Sequence, residues 1–280
     1  MGLFDPAQDS FRVDPAYQPV VRALGLDART VFADPRIKVW RKLADRENCT
    51  LDVDTGDVDP AAAAAPVRLH VKRYVAVPPG AAAPAAEERD GHQLLVDEQI
   101  PTAPLVAWGV LTDRRSFTIW ADLAGFAPGD KLVGSGVPFE RLLEPTADLA
   151  GRLHKAGLHH RDLYLCHFMA KPGPTDADPV EVSLIDTARV RRLPGGLVGL
   201  LTRRRWVVKD LAQFWYSTTK LAVTDDQRDR WLARYCQARG DGVRPASLRG
   251  AVVRKARAIA RHDARLNAKQ PARNVSIPQG

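Results

Sequence analysis

Leu153-His-Lys-Ala-Gly-Leu-His-His-Arg-Asp-Leu-Tyr-Leu-Cys-His-Phe168 is the stretch on which the reading of this 280-residue chain turns. An amphipathic helix ends at Gly157, and a tight polar loop then carries His160-Arg161-Asp162. His167 follows five residues after the aspartate, and the apolar run Val182-Ser-Leu-Ile185 delivers a second acid, Asp186. Two acids at the ends of short apolar runs, with polar ligands between them, suit phosphoryl transfer. One aspartate orients a hydroxyl, and the other holds a metal that neutralises nucleotide phosphates.

Upstream of the loop, Leu142, Leu143, Thr146, Leu149, Ala150 and Leu153 recur at helical spacing and predict one buried face. Leu123–Gly136, with four glycines and a proline, reads as a linker. Before it, short strands are expected at Val31-Phe32, Ile37–Leu43 and Cys49–Val53, the last two joined by a turn at Asp45–Asn48. Val67–Val75 alternates apolar and polar as a half-buried strand does, and carries Lys72. Ala85–Gln99 is a helix candidate, closed by Ile100-Pro101, and Leu105–Leu111 and Ser116–Trp120 read as two further strands. Downstream, helices are expected at Val208–Lys220, Asp225–Ala238 and Ala246–Ala268. Asp54–Pro66 reads as a low-complexity loop.

The fold class that follows is α+β in two lobes. It comprises an N-terminal extension over 1–29, a small antiparallel sheet with one helix over 30–122, a mainly helical lobe over 123–268, and a flexible tail over 269–280. A lysine in mid-strand comes first, then an acid in the next helix and a Gly-rich linker. His-Arg-Asp with a ligand five residues on and a strand-terminal aspartate complete the succession, which is the protein-kinase layout.

Within that layout the loop resembles the catalytic loop of the bacterial lipopolysaccharide core kinases, the heptose and Kdo kinase family. Their loops have the form His-Arg-Asp-x-Tyr-x-x-His-Phe. Ile100-Pro-Thr-Ala-Pro-Leu-Val-Ala-Trp-Gly109, Ser116-Phe-Thr-Ile-Trp-Ala-Asp-Leu123 and Arg205-Trp-Val-Val-Lys-Asp-Leu-Ala212 match the same family, so the resemblance covers roughly residues 30–235. It implies ATP and Mg²⁺ as cofactors and a sugar hydroxyl of lipopolysaccharide core, or of a similar glycolipid, as acceptor. Lys72 would neutralise the nucleotide's α/β phosphates, paired with Glu88 or with the adjacent Glu87. Backbone groups of Ala121, Asp122 and Leu123 would read the adenine edge. Asp162 would take the acceptor hydroxyl's proton, with Arg161 beside it in the catalytic set, and Asp186 would hold Mg²⁺. His160 and Asp210 would support the loop, Asp210 by tying down its backbone from the following helix.

His167 stands where protein kinases place a metal-binding Asn. Imidazole is a poor Mg²⁺ ligand, so a hydrogen bond to phosphate or to the loop backbone is the alternative role. Two departures from the protein-kinase pattern follow. The hairpin Ile37–Val53 has no glycine, so Arg41, Lys42 or Arg46 would have to meet phosphate in place of a Gly-rich flap, and Tyr164 sits where many Ser/Thr kinases have lysine. His154, His159, His160, Cys166 and His167 fit no common zinc spacing, so zinc is not expected.

The net charge of +8 is unevenly placed, with six arginines and no acid between Arg189 and Arg205. Arg189, Arg191 and Arg192 on one side and Arg203, Arg204 and Arg205 on the other bracket a Gly-rich apolar tip around Leu197, Val198, Leu200 and Leu201. Such a loop suits an anionic membrane surface or a lipid-linked acceptor. The alternative is that its apolar residues pack on the helical lobe while the arginines solvate it. A second interfacial helix around Leu248, Val252, Ala256 and Ile259 is weighed against docking of that helix on its own lobe, which is preferred.

The hydrophobic share of 45% and charged share of 26% suit a globular protein, and no apolar stretch approaches the length of about 20 residues needed to span a bilayer. The N-terminus reads as neither a secretory signal nor a myristoylation site, and three scattered cysteines indicate a reducing compartment. The expected location is therefore cytoplasmic, peripheral to the inner membrane. Nucleic acid is not an expected partner, because the basic runs lack interleaved aromatics. Two other readings stay open: a protein kinase, and an inactive kinase-like module that binds anionic lipid.

Overall fold

The computed structural model describes residues 8–53, 68–78 and 80–269. The expected loop over Asp54–Pro66 and the tail beyond Lys269 lie outside the described residues. The chain divides into two compact units, Met1–Gln93 with Ala103–Ala124, and Leu94–Thr102 with Gly125–Gly280.

The first unit is built on one antiparallel sheet of β1 (Arg12–Val13), β2 (Lys38–Lys42), β3 (Arg46–Asp52), β4 (Arg68–Tyr74), β5 (Leu105–Val110) and β6 (Ser116–Ala121), in the order β1-β5-β6-β4-β3-β2. Alternation puts Leu69 and Val71 of β4 into a core with Val31, Leu51, Val106, Phe117 and Ile119. The opposite face of β4 carries His70 and Lys72, with Lys72 opposite Asn48 on one side and Thr118 on the other. Helices α1 (Gln18–Ala23) and α2 (Thr30–Ala33) cover the core, and α3 (Pro84–Asp97) brings Glu88 to the sheet.

Three expectations change here. Val31-Phe32 is helical rather than strand. The Asp27 carboxylate accepts from the amides of Arg29 (2.7 Å) and Thr30 (2.8 Å), and Thr30 Oγ1 accepts from the amide of Asp27 (2.7 Å), so side-chain capping overrides β propensity. Strand β3 starts at Arg46, within the expected turn, because its polar first residues pair with β4 (Glu47↔Arg73, Asn48↔Lys72). The stretch read as an N-terminal extension, an extended entry with a short helix near Val20–Leu24, supplies that helix as α1 and in addition the edge strand β1 of the sheet. Asp14 donates its amide to Val106, and Ser10 exchanges hydrogen bonds with Val110, along the outer edge of β5.

The second unit is mainly helical: α4 (Gly129–Gly134), α5 (Phe139–Lys155), α6 (Gly196–Ser217), α7 (Asp225–Arg239) and α8 (Pro245–Lys269). Its strands β7 (Ala127–Pro128), β9 (Phe168–Pro172) and β10 (Val180–Leu184) form a three-stranded sheet, and β8 (Leu158–His159) pairs with β11 (Arg191–Arg192). The expected face of α5 is buried throughout, including Thr146, whose Oγ1 accepts from Trp231 Nε1 at 2.9 Å. Trp231 stacks on Phe214 at 3.9 Å between ring centroids, which ties α7 to α6. Helices α5 and α7 meet at Gly151, where a Cβ would lie 2.6 Å from that of Ala238. Leu248, Val252 and Ala256 of α8 are buried in this unit's core, so α8 docks on its own unit.

Two linkers prove to be structured. The stretch Leu123–Gly136 contains β7 and α4, with Val133 and Asp130 buried. The apolar tip expected as a loop is instead the first turn of α6, which begins at Gly196 rather than near Val208. Gly199 permits this because its amide bonds Gly195 O (2.9 Å) and a Cβ there would lie 2.2 Å from Pro194 O. Glycine suggested a loop, but here it serves a close approach of backbone to backbone.

Candidate active site

In the first unit, Lys72 Nζ donates to Glu88 Oε1 at 2.5 Å, and Thr118 Oγ1 donates to Glu88 Oε2 at 2.8 Å. Trp120 Nε1 in turn donates to Thr118 Oγ1 at 2.9 Å. Of the two candidate glutamates, the structure therefore pairs Lys72 with Glu88, which has no exposed surface. A buried carboxylate needs a cation and hydrogen bonds, and this one has a lysine and a hydroxyl. The Lys72 side chain keeps 26% of its surface exposed, so the ammonium is steered but still reachable.

Of the three backbone positions expected to read adenine, two have their amides engaged, Ala121 to Pro104 O (3.0 Å) and Asp122 to Arg68 O (3.1 Å). Among the described residues Leu123 alone of the three keeps its amide out of such a bond. The Asp122 side chain accepts from His70 Nε2 at 2.7 Å. In the hairpin, Lys42 Nζ pairs with Glu47 Oε1 at 2.8 Å.

In the second unit the loop after β8 is held by one face of α6. The buried Asp210 accepts from the amide of His160 (Oδ2, 2.7 Å), the amide of Arg161 (Oδ1, 2.8 Å) and His154 Nε2 (3.3 Å). Burial opposes ionisation of Asp210, but His154 and the His160 amide outweigh it and hold the carboxyl below the usual carboxylate range. Arg161 adopts a left-handed backbone (φ 69°), and its carbonyl accepts from both Lys209 Nζ (2.6 Å) and Gln213 Nε2 (3.0 Å). Such a conformation persists where its surroundings over-determine it. Burial pushes the Lys209 ammonium below its ordinary pKa. Further along the loop, Leu165 donates its amide to Ser217 Oγ at 2.9 Å.

On this frame Asp162 keeps one-quarter of its side chain exposed. Its Oδ1 accepts from Gln213 Nε2 (3.2 Å), and its Oδ2 lies 3.3 Å from Arg189 Nη1. The Arg161 guanidinium turns away to lie over the Trp206 ring, 4.8 Å from its centroid. Asp186 follows β10 in a left-handed conformation (φ 63°), with 31% of its side chain exposed. His167 is nearly buried, donates Nδ1–H to Asp162 O at 2.6 Å and places Nε2 3.7 Å from Asp186 Oδ2. Burial favours its neutral form, but contacts with Cys166, with the Asp186 carboxylate and with the Asp162 carbonyl outweigh this and raise its pKa to about 10. The buried His160 donates Nε2–H to Ile185 O at 3.1 Å, beside Asp186, and burial holds it neutral.

No group of three His, Cys, Asp or Glu side chains able to hold a metal occurs among the described residues. Mg²⁺ needs no such cage, since it takes one or two carboxylates together with phosphate oxygens and water. Asp186 offers a partly exposed carboxylate, so the residues present fit that ion.

The six arginines do not act as one patch. Arg189 faces Asp162, Arg191 Nη1 donates to the carbonyls of Ala188 and Val190, and Arg192 pairs with Glu98 at 3.2 Å. Arg204 donates to Ser247 O at 2.7 Å, Arg205 lies over Trp206, and Arg203 is exposed. Leu197 is 81% exposed, and the side chains at 198, 200 and 201 lie outside the described residues. No helix among the described residues is long and apolar enough to cross a membrane.

No motif in the sequence assigns a role to Gln213, Lys209 or Ser217. Asp210, Gln213 and Ser217 recur at positions i, i+3 and i+7 of an aromatic-rich helix, and three polar residues on one buried face was the signal available.

An α+β chain of this plan, with a His-Arg-Asp loop clamped by a helical aspartate and a second acid at a strand end, has the parts of a phosphotransferase. The family model for the "Lipopolysaccharide kinase (Kdo/WaaP) family" matches residues 82–235, and the chain belongs to that family. Lys72 lies before the matched span, so its pairing with Glu88 rests on the geometry above. The chain is 35% identical over 95 residues to the lipopolysaccharide core heptose(I) kinase WaaP of Pseudomonas aeruginosa, covering 34% of this chain and 33% of that one. It is 33% identical over 91 residues to the protein of the same name from Escherichia coli strain K12, covering 32% and 31%. The matched span is thus about a third of the length of these curated relatives. Among solved structures, a chain from the Chaetomium thermophilum CAK complex bound to ATP-gamma-S has a TM-score of 0.41 at 12% identity, over 75% of this chain and 71% of that one.

Proposed function

We propose that this protein is an ATP- and Mg²⁺-dependent kinase that phosphorylates a sugar hydroxyl of lipopolysaccharide core, heptose or Kdo, or of a similar glycolipid. The observation that carries the reading is Asp162, held partly exposed on a loop that α6 clamps, within a chain of the lipopolysaccharide kinase family.

Asp162 accepts the proton of the acceptor hydroxyl as its oxygen attacks the γ-phosphorus. The bond from that phosphorus to the bridging oxygen breaks, and ADP leaves. Lys72, steered by Glu88, neutralises phosphate charge. Asp186 is the carboxylate that would hold Mg²⁺, which supplies charge neutralisation at the phosphates. His167 fixes the loop through its bond to Asp162 O and faces Asp186. Leu123 offers its amide to the base. Exposed basic residues, Arg203 and the outer face of α8 among them, suit an anionic membrane surface, so the protein works peripherally at the cytoplasmic face of the inner membrane.

The test is transfer of γ-phosphate to purified core glycolipid, with Asp162→Ala as control. Transfer that Asp162→Ala abolishes supports the reading. Transfer to polypeptide and to no glycolipid would replace it with a protein kinase, and no transfer to any acceptor would leave an inactive binding module.

A further inference from the structure

We infer that Gln213 is a positioning residue for the Asp162 carboxylate, fixing which oxygen is offered to the acceptor hydroxyl; this rests on the kinase reading above.

The side chain of Gln213 is 3% exposed and touches three consecutive loop residues. Its Nε2 donates to Arg161 O at 3.0 Å and to Asp162 Oδ1 at 3.2 Å, and its Oε1 accepts from the amide of Leu163 at 3.3 Å. A carboxylate on a loop is free to rotate about its last torsion, which scatters its lone pairs. A buried donor on one oxygen stops that rotation, and the donor is itself fixed by its two backbone contacts. Oδ2 is left toward Arg189, whose guanidinium is 61% exposed. An exposed ion pair of this kind is weak, so an incoming hydroxyl can displace Arg189 from Oδ2, whereas the buried amide keeps Oδ1. Lys209 shares the Arg161 carbonyl with Gln213 but is not within bonding distance of the carboxylate, so the two residues are separable.

The test is steady-state transfer to core glycolipid by Gln213→Glu and Gln213→Met in the full chain. Glu keeps an acceptor for the Leu163 amide and loses the donor, while Met keeps the volume and loses both. Both are expected to lower kcat by about 10- to 100-fold with KM for ATP within about twofold, the pattern of lost positioning rather than lost binding. Thermal midpoints identify any variant that fails to fold, and the other then carries the test. A wild-type kcat in a folded variant overturns the inference, as does a loss confined to KM. Wild type and Asp162→Ala in parallel keep the two failures apart. If the wild type transfers no phosphate, the kinase reading falls; if Asp162→Ala transfers as fast as the wild type, the role of Asp162, and with it that of Gln213, falls. If Asp162→Ala is inactive while the Gln213 variants run at full rate, only the role of Gln213 falls.

Discussion

Glu88 and Lys72 form the anchored ion pair of the first unit, with Nζ 2.5 Å from Oε1 and no part of the glutamate exposed. Glu87 precedes it in the same helical turn, so the sequence left the choice open and side-chain direction on α3 settles the pairing. Removing one partner of a buried pair costs about 3–5 kcal/mol because the other charge is left uncompensated. Glu88→Ala should therefore lower both the thermal midpoint and ATP-dependent transfer, while Glu87→Ala changes each far less. Equal effects of the two substitutions in melting and transfer assays would contradict the pairing.

Asp210 holds the amides of His160 and Arg161, and Asp210→Ala would leave both without an acceptor in a buried site. Each orphaned buried donor costs about 1–3 kcal/mol, so a loss of about 2–6 kcal/mol is expected in denaturant unfolding. Hydrogen exchange in a peptide spanning 158–165 should also accelerate. Because the carboxyl titrates lower in the folded than in the unfolded chain, its contribution is present above the ordinary carboxylate range and fades as pH falls below it. Unchanged exchange in the variant would show that the loop is held by other contacts.

His159 gives a second pH signature of the same sign, displaced to higher pH. Burial in β8 against Trp206 lowers its pKa from 6.5 to about 4. The unfolded chain takes up the proton first, so stability is lost as pH falls from the unfolded value toward the folded one. The loss is about 2 kcal/mol by ~pH 5. His159→Phe keeps the ring and removes the titration, so its thermal midpoint should fall less than the wild type's between ~pH 7 and ~pH 5. Parallel curves would refute the assignment.

Asp186 tests the metal. Asp186→Asn keeps the size and the tolerance for a left-handed backbone but loses the charge that a hard cation requires. Transfer should stop on chelation with EDTA, return with Mg²⁺, and need a higher Mg²⁺ concentration in the variant. A variant whose Mg²⁺ dependence matches the wild type would remove Asp186 from that role.

Much of this organisation was legible in the chain because it is local. The His160-Arg161-Asp162 spacing, the face from Leu142 to Leu153 and the alternation through Lys72 each lie within one element. Capping and close approach were harder to read. Val31-Phe32 has strand residues but is turned into helix by Asp27 and Thr30. The glycines from Gly195 to Gly199 read as the apolar tip of a loop, yet one of them lets α6 start against Pro194. Gln213 escaped notice because its value depends on three loop residues that only the fold brings to it.

The short β1 strand has a practical consequence for the first unit's solubility. Residues 9–14 run along the outer rim of β5, bonding Val106, Val110 and Thr112. A shortened chain beginning at Pro15 would bare that rim, and an uncapped row of amides and carbonyls is a template on which other molecules add as strands. Two residues of strand, too few to stand out as a motif, thus cover an edge that their removal would open to such pairing.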